Sequence, residues 1–135
     1  MKKLSLMVLV AAASVGPLHA QTGFSNSVES PKVDAFGCSI LPRPERYTFT
    51  TFKDAWRSVA ADRLYGLTRH QKVVEADTCT CDLLHPDWTS IDAAAAEIGV
   101  FEADRPELQA WAAKNFFPKI NGLTTEVRKL CEGGA

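Results

Sequence analysis

Four cysteines constrain this chain more than anything else in it: Cys38, Cys79, Cys81 and Cys131, with a single residue between the middle two. In an oxidising compartment an even count normally means disulfides. Cys79 with Cys81 is the poorest pair, because one intervening residue forces a strained small ring. The favoured pattern is therefore one bridge from each of Cys79 and Cys81 to Cys38 and Cys131, with the choice of partner open. Both ends of the domain would be tied to its centre. In the chain-entropy model, loops of some forty to fifty residues contribute roughly 3 to 4 kcal/mol each.

The first twenty residues place the chain in such a compartment. Lys2 and Lys3 form a basic start, Leu4 to Val15 a short apolar run, and Leu18-His19-Ala20 ends on a small residue, the pattern of a secretory signal peptide cleaved after Ala20. The apolar run falls short of the roughly 18 to 20 residues that span a bilayer. No cysteine follows the cut to carry a lipid, so a soluble periplasmic protein with no membrane insertion is expected. Losing Lys2 and Lys3 leaves 13 basic residues against 16 acidic ones, a net charge of −3. Arg43, Arg46, Arg57, Arg63, Arg69 and Lys72 alternate with Glu45, Asp54, Asp62 and Glu75. A nucleic-acid binder carries a basic face, and no such face is present.

At 135 residues and 46% apolar, the chain is of one-domain size and too hydrophobic to be a disordered tail. Residues 21–34 contain Ser, Asn and Gly without apolar periodicity, and are read as a flexible leader. Residues 35–135 form the domain. It begins with an arm held by Cys38 and kept extended by Pro42 and Pro44. Thr51 followed by Asp54 resembles a capping box, and Phe52, Trp56, Val59, Ala60 and Leu64 then recur at helical spacing up to Gly66. Residues 68–76 fit either a short strand or a helix, the latter favoured. Asp87 opens a helix through Trp88, Ile91, Ala95 and Ile98 that stops at Gly99. Asp104-Arg105-Pro106-Glu107 starts another, with Leu108, Trp111, Ala112 and Phe116 facing inward. Pro118 should break or kink it before Ile120, Leu123, Val127, Leu130 and Cys131 carry the period to the end. The expected fold is all-α: four or five helices, disulfide-stapled, with an extended N-terminal arm.

Chemistry-bearing patterns are few. A redox dithiol needs a lowered thiol pKa and usually two intervening residues, whereas Cys79-Thr80-Cys81 has one and lies between Asp77 and Asp82, which oppose thiolate formation. Cys79, Cys81 and His85 could ligate a soft metal, but two further cysteines make structural bridges the better reading, with no metal and no cofactor. His70 and His85 are accompanied by no nucleophile elbow, zinc-protease pair or paired carboxylates, so no catalytic residue is named. Trp56, Trp88 and Trp111 are read as core, Trp88 where the cysteine loop meets the first and last helices. Phe116 and Phe117 are adjacent on a helix, about 100° apart, and cannot both enter one core. With His85 they are the candidate partner contacts. The Cys79–Pro86 segment is the loop that would suit a hydrolase inhibitor.

Together with the signal peptide, Phe36-Gly37-Cys38, the run Tyr47 to Phe52, the run Ala76 to Cys81, and Pro86-Asp87-Trp88 resemble small exported proteins of Gram-negative bacteria encoded beside type IV secretion or conjugative-transfer machinery. The resemblance spans most of the mature chain. It implies a periplasmic accessory role with cell-envelope protein partners, and carries over no catalytic residue. The competing expectation is a periplasmic inhibitor or small enzyme acting on cell-wall or thiol-redox partners.

Overall fold

The computed structural model describes residues 32–133; the expected signal peptide and residues 21–31 of the expected leader lie outside them. The fold is all-α and stapled by two disulfides, Cys38–Cys81 and Cys79–Cys131, with Cα separations of 5.2 and 5.0 Å. Of the two patterns left open, the chain adopts the crossed one, in which Cys81 reaches back to Cys38 and Cys79 reaches forward to Cys131. The two loops it closes, 43 and 52 residues long, share only the segment around Thr80.

The arm is more structured than its prolines imply. Asp34 Oδ1 accepts the N–H groups of Phe36 and Cys38, Gly37 takes the left-handed conformation at φ 83°, and Val33 pairs with Ser39 in one antiparallel bridge. This is an Asx-type turn closed by a glycine that meets no Cβ penalty. Val33 and Asp34, assigned by sequence to the leader, thus belong to the folded arm. The chain then runs past Pro42 and Pro44 into a 3-10 turn at Glu45–Tyr47. Tyr47 is 1% exposed, and its hydroxyl donates to Asp92 Oδ1 at 2.6 Å. Cys38 and Tyr47 therefore fasten the arm at two points.

Helix α1 spans Ala55–Ala76. The anticipated capping box does not form: the Thr51 hydroxyl donates to Asp54 Oδ2, and Asp54 caps no backbone N–H. Gly66 lies inside the helix rather than ending it. A helical glycine costs only about 1 kcal/mol relative to alanine, and buried Leu64, Tyr65, Leu67 and Val73 on either side outweigh that cost. The ambiguous residues 68–76 are helical, continuous with the first segment, and the stop comes at Asp77, left-handed at φ 49°.

The buried face of α1 also differs from the apolar stripe. Ser58, Ala61 and Tyr65 turn inward beside Ala60 and Leu64, while Phe52 is 97% exposed, Val59 is exposed and Trp56 is half-buried. One residue is 100° of rotation, so a shift of one position turns a different face to the core. The small Ser58 and Ala61 allow close approach, the Ser58 hydroxyl accepts the Phe49 N–H at 2.8 Å, and Tyr65 stacks on Trp88.

A short α2, Cys81–Leu84, lies between the bridges and the His85-Pro86 turn. Asp87 then accepts the Thr89 N–H and caps a 3-10 turn, Trp88–Ile91, that leads into α3, Asp92–Glu97. Gly99, at φ 74°, ends this segment as expected; a Cβ there would come within 3.0 Å of Ala103 Cβ. Helix α4, Arg105–Trp111, starts with the full capping box of Asp104 and Glu107. Pro118 does not break the last helix. Ala112–Phe116 form a π-turn, with the Phe117 N–H bonded to the Ala112 carbonyl, and α5 continues through Phe117–Gly133. The wider turn makes room for a proline that lacks an N–H and would crowd a regular preceding turn.

Two apolar clusters hold these pieces together. Tyr47, Ala61, Leu64, Tyr65, Trp88, Ile91, Ala95 and Val100 form the larger, with Trp111 packed at its edge. Cys38, Val73, Leu84 and Val127 form the smaller, where α1, α2 and α5 meet beside both bridges.

Candidate functional site

The Cys-Thr-Cys unit is a structural hub. All four cysteines are bridged, so Cys79 and Cys81 present no thiol to a metal or a redox partner. Among the described residues no group of three or more His, Cys, Asp or Glu is placed to hold a metal ion. The segment that would have served as an inhibitory loop is instead a short stapled helix ending on buried Leu84 and His85.

His85, a candidate partner contact by sequence, turns inward. It is 9% exposed, and its Nε2 lies 2.7 Å from Asp34 Oδ2, clamping the arm to the α2 turn beside the Cys38–Cys81 bridge. An imidazole in so little water is satisfied by the carboxylate rather than by an outside ligand. Burial pushes the Asp34 carboxyl up, but the hydrogen bonds from His85 and from the Cys38 and Phe36 N–H groups outweigh it and hold the group below its ordinary value. Its stabilisation is thus present above the ordinary carboxylate range and is lost as pH falls through the lowered pKa.

His70 supplies a second acid-sensitive point. Its Nδ1–H donates to the Gly66 carbonyl at 2.6 Å. Burial lowers its pKa below the ordinary 6.5, against the hydrogen bond to Gly66 and with the nearby Arg69 and His85 charges adding to the lowering. The unfolded chain takes up a proton near pH 6.5 that the folded chain resists, so stability falls as pH drops below about 6.5. Urea unfolding of His70→Gln between pH 7.5 and 5 should show a flatter pH dependence than the parent; an unchanged slope would remove His70 as its source.

The feature that offers itself to a partner is an aromatic ridge. Trp56, Val59 and Arg63 follow one another at helical spacing along the outer side of α1, with Phe52 just before them. The Arg63 guanidinium lies 4.9 Å from the Phe117 ring centre and 5.8 Å from that of Phe116, which joins α1 to the start of α5. Phe116 and Phe117 meet edge to face at 5.3 Å. Phe117 is exposed and Phe116 half-buried, as their angular separation requires. Arg57 covers the Trp56 ring at 4.4 Å while donating to the Val100 carbonyl. Periodicity alone assigns Phe52, Trp56 and Val59 to the core, whereas the structure leaves Phe52 and Val59 exposed and Trp56 half-buried.

A cleft of about 880 Å³ opens on another part of the surface, between the arm, α1, the His85–Trp88 turn and α5. Nothing in the spacing of the sequence announces it, because its walls come from four separated segments.

No family model, curated protein or solved structure matches the chain. Its class therefore rests on the fold itself, an all-α domain stapled by two disulfides. The bridges, and the fact that no helix among the described residues is long and apolar enough to cross a membrane, are compatible with export.

Proposed function

We propose that this chain is an exported, non-enzymatic helical protein that binds protein partners in the cell envelope, as an accessory of a type IV secretion or conjugative-transfer apparatus. The observation that carries the protein-binding part is the ridge of exposed Phe52, Val59 and Phe117 with half-buried Trp56, apolar side chains at the surface of a fold that has its own core. Aromatic and arginine side chains are the groups most enriched at protein interfaces. Arg57 and Arg63 already cover ring faces here and add directional donors at the edge of the patch. The envelope location rests on the signal-like first twenty residues and on the bridges. The secretion or conjugation context rests on the family resemblance.

Phe52→Ser and Phe117→Ser test this reading with little risk to the fold, since exposed positions usually change stability by no more than about 0.5 kcal/mol. Combined, they should abolish co-purification of the protein with an envelope component while leaving the thermal midpoint nearly unmoved. Capture that survives both substitutions, or secretion and conjugation that proceed normally without the gene, would remove the proposal.

A further inference from the structure

We propose that the cleft between the arm and α1 binds a small amphiphilic carboxylate, its anionic head held by Arg69 and Arg128 and its apolar body lying along Phe36, Ile40 and Leu41. The volume, about 880 Å³, falls in the range of small-molecule sites, which are concave and mostly apolar with a few convergent polar groups.

The charges decide the sign of the ligand. Both acids that line the cleft are already engaged: Asp34 with His85 at 2.7 Å, and Asp62 with Arg43 at 2.6 Å. Arg69 and Arg128 line it too, and neither has a carboxylate partner among the described residues. Arg69 spends one N–H on the Leu84 carbonyl at 2.7 Å, which fixes the guanidinium without an ion pair; the Asp34 charge reaches it through space, but that carboxylate is bonded to His85. Burial lowers the Arg69 pKa and outweighs the opposing influence of Tyr65 and of the Asp34 charge. A guanidinium fixed in this way is a ready donor for a planar carboxylate.

The apolar part is specified by the arm. Phe36, Ile40 and Leu41 are exposed large hydrophobics, and all three line this cleft together with Val127 and Leu84. The Asp34 turn and the Cys38–Cys81 bridge hold this wall in place without a ligand. The Tyr65 and Trp88 side chains contribute to the floor. Trp88 is 7% exposed, and its Nε1 has no acceptor among the described residues.

The site is separate from the ridge, which allows a control on the same molecule. Titration calorimetry of the purified protein with dodecanoate, below its micellar concentration, should give saturable one-to-one binding, while dodecyltrimethylammonium of the same chain length should give none. Tryptophan emission should shift as the cleft fills, since Trp88 borders it. Arg69→Gln and Arg128→Gln should each weaken dodecanoate binding by about tenfold or more, the loss of one charge-assisted contact, and Arg63→Gln on the ridge should leave it unchanged. Arg128 is exposed and bonds to nothing else described, so its variant decides the question even if Arg69→Gln fails to fold. Absent saturation, equal binding of the cationic amphiphile, full affinity in Arg128→Gln, or equal loss in Arg63→Gln would each overturn the assignment.

Discussion

Trp88→Ala should cost about 3 to 5 kcal/mol, a large share of what a small domain has to lose. The indole stacks on Tyr65 with ring centres 4.1 Å apart and planes 6° from parallel, and it meets Tyr47 at 5.7 Å. It therefore joins α1, the end of the arm and the α3 segment through one side chain. The meeting point expected from sequence included the last helix; the packing instead puts Tyr47 of the arm in that role. Trp88→Phe separates packing from hydrogen bonding. A phenyl ring keeps much of the stack and removes the unmet Nε1–H, whose burial costs about 1 to 3 kcal/mol, so this variant should lose far less than the alanine one. Urea unfolding of both checks the argument. A Trp88→Ala protein that keeps its midpoint but loses partner capture would make Trp88 a contact residue instead.

Removing either disulfide as a pair of serines should cost about 4 kcal/mol, the loop-closure value for rings of 43 and 52 residues. The two losses should differ in kind. Cys38→Ser with Cys81→Ser frees the Asp34 turn and the His85 clamp, and with them the wall that carries Phe36, Ile40 and Leu41. Hydrogen exchange should rise first over residues 32–43, while Tyr47 still anchors the far end of the arm. Cys79→Ser with Cys131→Ser frees the end of α5 beyond Val127 and leaves the arm in place. In both cases circular dichroism should show the helices retained, because α1 and α5 still pack through Val73 and Val127. Non-reducing peptide mapping that found Cys79 joined to Cys81, or Cys38 or Cys131 free, would sink the stapled architecture.

The amino-acid sequence by itself determined the helical class, the stop at Gly99, the capping box at Asp104 and the hub role of Cys79 and Cys81. Each depends on residues a few positions apart, or on a ring too small to close. It did not determine which way α1 faces. Phe52, Trp56 and Val59 form the more hydrophobic stripe, yet the fold buries Ser58, Ala61 and Tyr65 beside Ala60 and Leu64. That choice is made by Trp88, from beyond the cysteine hub, and by Phe49, from the segment just before α1, which need a ring to stack on and a hydroxyl to bond to. Tertiary contact likewise carried α1 through Gly66, turned the Pro118 break into a π-turn, and drew His85 inward onto Asp34. The pairing of Cys38 with Cys81, the buried Tyr47 and the cleft beside Arg69 belong to the same category. Periodicity reports how apolar each face of a helix is, but which face is buried depends on the fit and the hydrogen bonds of the segment that comes to cover it.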